Sequence, residues 1–116
     1  MKREAAERRG RRGETFAAWW LRLQGWRIVG RRVKTPRGEI DLIARRGGTV
    51  AFVEVKWRRG DKDLALAIDE YRLRRVADAA EAVAHRYARP DDTIRIDVLL
   101  LAPGRWPRHI VNAWQP

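Results

Sequence analysis

At 116 residues with a formal net charge of +11, the chain is the size of one domain and long enough to bury a core without staples. It has no cysteine, which excludes disulfides, thiol catalysis and zinc–thiolate sites and fits a cytoplasmic protein. Its longest apolar runs, such as residues 16–21, fall far short of the roughly 20 residues that cross a bilayer, and its basic N-terminus lacks the apolar segment of a signal peptide. No membrane partner is expected.

The charge is unevenly placed. Residues 1–60 carry 17 Lys and Arg against 6 Asp and Glu, whereas residues 61–116 carry 9 of each. Compositional bias toward Arg explains the choice of cation but not this asymmetry. A basic half attracts polyanions and speeds their encounter, so nucleic acid is the expected partner.

Residues 1–13 read as a basic, mobile arm and residues 14–116 as a single domain. A helix is expected from Glu14 to Gln24, stopped by Gly25. Trp26 to Val33 reads as a strand, followed by a turn at Thr35-Pro36-Arg37-Gly38. Glu39 to Arg45 alternates, with Ile40, Leu42 and Ala44 on one face and Asp41 and Ile43 on the other. Arg46-Gly47-Gly48 makes a hairpin connection into a third strand, Thr49 to Trp57. There Ala51, Val53 and Val55 face one way and Phe52, Glu54 and Lys56 the other. Arg58 to Asp63 is a polar loop.

A long helix is expected from Leu64 to Arg86, with Ile68, Val76, Ala79, Ala80, Val83 and Tyr87 as its apolar stripe. Thr93 to Leu101 is the most apolar strand, alternating through Ile94, Ile96, Val98 and Leu100, and Arg108 to Ala113 reads as a short last strand. Helix, three-strand meander, helix and one or two further strands make an α/β sandwich with a mixed sheet. The long helix forms the crossover. Trp19, Trp20 and Trp26 are expected to pack the first helix on that sheet. Trp106 and Trp114 suit either the core, a dimer interface or nucleic acid.

Charges on apolar strands are costly to desolvate unless partnered. In residues 15–60 the only acids are Glu39, Asp41 and Glu54, among eleven cations. Asp41 and Glu54 lie on strands that the Gly47-Gly48 turn makes neighbours. Carboxylates held close repel one another, and a divalent cation removes that penalty. Mg²⁺ (or Mn²⁺) suits hard oxygen donors of this kind together with a substrate phosphate. Lys56 shares the face of Glu54 and could hold an attacking water or offset charge on the phosphorane. Glu39 faces away from Asp41 unless its strand bulges.

Glu14 would be a further carboxylate if the first helix packs over Asp41; the helix dipole alone also favours Glu there. Arg72, four residues from both Ile68 and Val76, shares the inward stripe and needs an acid or a phosphate beside it. Arg31, Arg32, Arg37, Arg58 and Arg59 are the candidate backbone-phosphate contacts, and Trp57 could stack on an unpaired base. Asp97 reads as structural, a lone charge on a core strand near the basic helix. His85 and His109 read as unaccompanied surface residues, so no histidine base is expected.

Asp41, twelve residues, then Glu54-Val55-Lys56 resembles the D-xn-E-x-K signature of restriction endonuclease-like nucleases. The wider pattern is similar to the YraN-like family of small bacterial proteins. It covers Arg12-Gly13-Glu14-Thr15-Phe16-Ala17-Ala18, Gly25-Trp26-Arg27-Ile28-Val29, residues 38–44, Phe52-Val53-Glu54-Val55-Lys56 and Arg95-Ile96-Asp97-Val98. The resemblance implies a restriction endonuclease-like fold, a metal held by Asp41, Glu54 and the carbonyl of Val55, and assistance from Lys56. Holliday-junction resolvases share this arrangement, with a helix glutamate where Glu14 stands. The chain departs from the family at Arg32, usually Asn, and at Arg72, usually Lys, and Arg and Lys are not interchangeable at a tight site.

The function expected is therefore a Mg²⁺-dependent nuclease acting on structured or single-stranded DNA, working as a pair of copies where two strands are cut. The competing reading is a nucleic-acid-binding or adaptor module that keeps the fold without cutting. A third is an RNA-associated protein.

Overall fold

The fold, taken from a computed structural model, is described for residues 2–57 and 70–114, with first-helix side chains from residue 13 onward. The first helix, α1, spans Lys2–Leu23. It thus begins well before the expected start at Glu14. The residues expected to form an arm are mostly Arg, Glu and Ala, strong helix formers that need no apolar stripe to extend a helix. The helix ends where expected. Gly25 takes a φ of 90°, its amide donates to the Arg22 carbonyl, and the Trp26 amide donates back to Leu21. This pairing satisfies carbonyls that the helix end leaves open.

Five strands follow: β1 Arg27–Thr35, β2 Gly38–Arg46, β3 Thr49–Trp57, β4 Thr93–Leu101 and β5 Arg108–Ile110. The second helix, α2, runs Glu70–Tyr87 between β3 and β4. The N-terminal part of the expected long helix, including Ile68, lies outside the described residues. The sheet order is β1-β2-β3-β4-β5. All neighbours are antiparallel except β3 and β4, so α2 is the crossover that parallel pairing requires. The last strand is shorter than expected. Asn112 takes a φ of 54° and turns the chain, and the Ala113 amide comes back to the Ile96 carbonyl.

Two cores lie on opposite faces of the sheet. On one, Leu73, Val76, Ala79, Ala80 and Val83 of α2 cover Ile40, Ile43, Val50, Phe52, Ile96, Val98 and Leu100. On the other, Ala17, Ala18 and Leu21 of α1 cover Leu42, Ala44, Ala51, Val53, Leu99, Leu101 and Trp26. Each fully buried Leu, Ile, Val or Phe contributes about 1.5–3 kcal/mol. Trp26 is buried and Trp20 packs at the edge, but Trp19 is exposed, contrary to expectation.

Strict alternation fails in β2. Ile40 lies on the α2 side with Ile43, not with Leu42 and Ala44. Pairing with β3 runs from Arg46↔Thr49 only to Leu42↔Val53. Beyond Leu42 the strand is held by β1 alone, with Ile40 opposite Val33 and Glu39 opposite Lys34, so a rule that assumes a continuous two-sided ladder no longer fixes its side chains. This parting of β2 from β3 positions the site.

Candidate active site

The parting leaves the edge of β3 open at Val55, and Asp41 fills it. The Val55 amide donates to Asp41 Oδ2 at 2.8 Å, so a carboxylate stands where a strand carbonyl would have been. The N–H and C=O of one strand residue point to the same neighbour, which turns the Val55 carbonyl toward the same opening. Glu54 and Lys56 flank Val55, both buried.

Glu54 Oε1 receives two cations. Lys56 Nζ is 3.1 Å away and Arg72 Nε 2.7 Å away. Arg72 therefore has the acidic partner its position demanded. Its side chain is 61% exposed, so it reaches in from the edge of α2 instead of sitting within the apolar stripe; Leu73 takes the buried place. Gly38, Glu39, Asp41 and Glu54 form one wall of a cleft of about 430 Å³ whose other wall is Tyr71, Arg72, Arg75 and Val76.

Glu14 approaches from the α1 side. It is buried, and Arg32 Nε stands 3.5 Å from its Oε2 and 3.8 Å from Glu39 Oε1. Arg32, at a φ of 49°, thus links both glutamates. Glu39 joins the cleft that Asp41 lines, because the side-chain alternation of β2 is interrupted there.

The carboxylates are held against their preference. Burial pushes the Asp41 carboxyl above its ordinary value. The Val55 hydrogen bond opposes this, the charge of Glu54 adds to it, and Arg72 and Lys56 oppose it again. Burial also raises the Glu14 carboxyl, with repulsion from Asp41 next in weight. A bound cation would relieve both the desolvation and the repulsion. Hard oxygen donors from Asp41, Glu54 and the Val55 carbonyl suit Mg²⁺ or Mn²⁺. Among the described residues no three His, Asp or Glu side chains converge closely enough to hold a metal by themselves. The arrangement is a pair, with Glu14 as an electrostatic neighbour.

The remaining candidates divide. Arg31 lies beside α1, with its Nη2 donating to Thr15 Oγ1 at 3.1 Å. Trp57, the last residue of β3, packs against Gly13: a Cβ there would overlap its indole. Arg37 instead forms an exposed pair with Glu81 of α2 at 3.7 Å. Arg58 and Arg59 lie outside the described residues. Sequence reasoning missed Tyr71 and Arg75. The available signal was their helical spacing from Arg72, at one residue before and three after.

A second charged cluster lies on the α1 face. Asp97 accepts from His109 Nε2 at 2.7 Å, Arg95 Nη2 at 2.9 Å and the Asn112 amide at 2.8 Å. His109 is therefore neither unaccompanied nor a surface residue, and Asp97 is not a lone charge: it is held by Arg95 of its own strand, His109 of β5 and the Asn112 amide after β5. Trp26 packs edge-on to His109, with Arg46 and Arg95 against its ring. His85 is exposed, as expected. Among the described residues no helix is long and apolar enough to cross a membrane.

The pattern of the uncharacterised protein family UPF0102 matches residues 13–101. The chain is 70% identical to the UPF0102 protein of Sphingopyxis alaskensis and 67% identical to that of Erythrobacter litoralis, over 100% of both chains in each case. It is 66% identical to the UPF0102 protein of Rhizorhabdus wittichii, over 97% of this chain and 96% of the relative.

Proposed function

We propose that this chain, which belongs to the uncharacterised UPF0102 (YraN) family, is a divalent-metal-dependent nuclease that hydrolyses phosphodiester bonds in structured or single-stranded DNA. The observation that carries the reading is the parting of β2 from β3, with the Asp41 carboxylate in the opening and Glu54 and Lys56 on either side of Val55. We read the helix, three-strand meander, crossover helix and following strands as a restriction endonuclease-like arrangement.

Asp41, Glu54 and the Val55 carbonyl would hold Mg²⁺ or Mn²⁺. When bound, such a cation supplies Lewis-acid polarisation of a phosphoryl oxygen. Lys56 is buried beside Glu54 and offers its ammonium to an attacking water or to the charge that develops on phosphorus. Arg31 and Arg32, on the strand next to the opening, and Arg72 and Arg75, across the cleft, draw in and orient the phosphate backbone. Glu14 tempers the positive field through Arg32.

The test uses purified protein with labelled single-stranded, flapped and duplex DNA, in Mg²⁺ or Mn²⁺ against EDTA. Wild type is expected to cut only with metal, and Asp41→Asn and Glu54→Gln to lose at least about 100-fold, the scale of removing one group that stabilises transition-state charge. Cutting that survives both substitutions would remove the site.

One observation favours the non-cutting alternative. Glu54 Oε1 is already paired with Lys56 and Arg72. A binding module would give salt-sensitive DNA affinity with no cleavage in any metal. Competition by RNA of the same shape separates the RNA-associated reading.

A further inference from the structure

The nuclease reading leaves the form of the substrate open, and an aromatic ring beside the site bears on it. Trp57 follows Lys56 directly on β3, and its indole lies against α1 at Gly13, the residue before Glu14. A glycine is poorly suited to a helix interior. Here any side chain would occupy the place of the ring, so the helix backbone itself forms a flat seat for the indole. The seated ring is nonetheless 43% exposed, whereas Trp26, which serves the core, is 3% exposed. The surroundings are cationic, with Arg31, Arg32, Arg72 and Arg75 around the carboxylates.

An exposed ring seated on a helix backbone beside an arginine-rich site matches nucleic acid in both of its parts, the anionic backbone and the π face of a base. In a continuous duplex the base faces are stacked on one another and closed to a protein ring. Unpaired bases offer theirs, and stacking on them tolerates any sequence.

We infer that Trp57 is a stacking platform for an unpaired nucleotide next to the phosphate held at Asp41 and Glu54. The substrate class is thereby a strand with unpaired bases, free or at a flap or branch, and not continuous duplex. As a statement about the substrate of that site, this rests on the nuclease reading.

The experiment measures binding in EDTA, where no metal-dependent cutting takes place. An end-labelled oligothymidylate of about 20 nucleotides, longer than a single-domain footprint, is compared with a blunt duplex of the same length at one fixed salt concentration. Trp57→Leu fills much of the space on Gly13 without a π face, and Trp57→Phe keeps a ring. Circular dichroism melts check that both remain folded.

Trp57→Leu is expected to weaken single-strand binding about tenfold, the scale of one lost base stack, and to leave duplex binding within about twofold. Trp57→Phe should stay within about threefold of wild type on both probes. Wild-type single-strand affinity in Trp57→Leu, equal losses on the two probes, or no single-strand binding by wild type would each overturn the inference. Cleavage by wild type in Mg²⁺, scored separately, decides the nuclease reading. A stacking effect without cutting and cutting without a stacking effect are therefore distinguishable outcomes.

Discussion

Two aspartates on neighbouring parts of the same sheet show how differently a strand can hold a buried carboxylate. Asp97 on β4 is 0% exposed. Burial works to raise its carboxyl, yet hydrogen bonds from His109, Arg95 and the Asn112 amide outweigh burial and bring it below the ordinary value. Asp41 on β2 receives one backbone hydrogen bond, from Val55, and burial with repulsion from Glu54 leaves it above the ordinary value. The first is a charge the fold has satisfied from every side. The second is a charge the fold has left in need of a cation. On the proposed function, that difference separates a structural carboxylate from a functional one more clearly than burial or strand position does.

The contrast has opposite consequences for stability. Asp97 has a lowered carboxyl, so its contribution is present above the unfolded value, near 3.9, and is lost as pH falls through its lower folded value. Asp97→Ala is expected to cost roughly 3 kcal/mol, because it strands the buried partners of a broken charge pair, and to flatten the acid limb of the stability profile. Asp41 has a raised carboxyl, so its contribution is present when protonated, below the unfolded value, and is lost as pH rises through the folded one. Asp41→Asn keeps an acceptor for the Val55 amide and removes the charge. At pH 7 it should melt above wild type in EDTA and lose cleavage in Mg²⁺, the trade expected of an active-site group. Urea melts of the two variants between pH 3 and pH 8 check both signs. Destabilisation by Asp41→Asn would make the two aspartates alike and break the comparison.

The smallest effect is expected at Arg37, whose pair with Glu81 is exposed. Arg37→Ala should change stability by less than about 0.5 kcal/mol and leave cleavage near wild type. A large loss of cleavage would extend the substrate path to the β1–β2 turn and redraw the site.

Much of this contrast could be read in the amino-acid order, and the unread part has physical causes. Asp41, Glu54 and Lys56 were legible because charges interrupt apolar alternation, and the Gly47-Gly48 turn makes their strands neighbours. The face of Ile40 was not, because alternation presupposes a ladder on both edges and β2 loses one beyond Leu42. The extent of α1 was missed because its first half is helical by propensity and carries no apolar stripe to count. The partners of Asp97 were half legible. An acid in the most apolar strand demands a cation, and Arg95 stands two residues away, but His109 and the Asn112 amide arrive through a turn that only the folded chain brings round. Arg72 was legible as a cation needing an acid; that the acid is Glu54 follows from how α2 crosses the sheet.

The claim that the opening at Asp41 is built to hold a divalent cation is tested most directly by melting wild type and Asp41→Asn across a Mn²⁺ titration at constant ionic strength. A ligand that binds only the folded state stabilises by about 2.7 kcal/mol at 100 times its dissociation constant. Wild type should therefore rise by several degrees and saturate, while Asp41→Asn, already relieved of its charge, stays flat. Equal rises in both proteins, or no rise in either, would contradict the account.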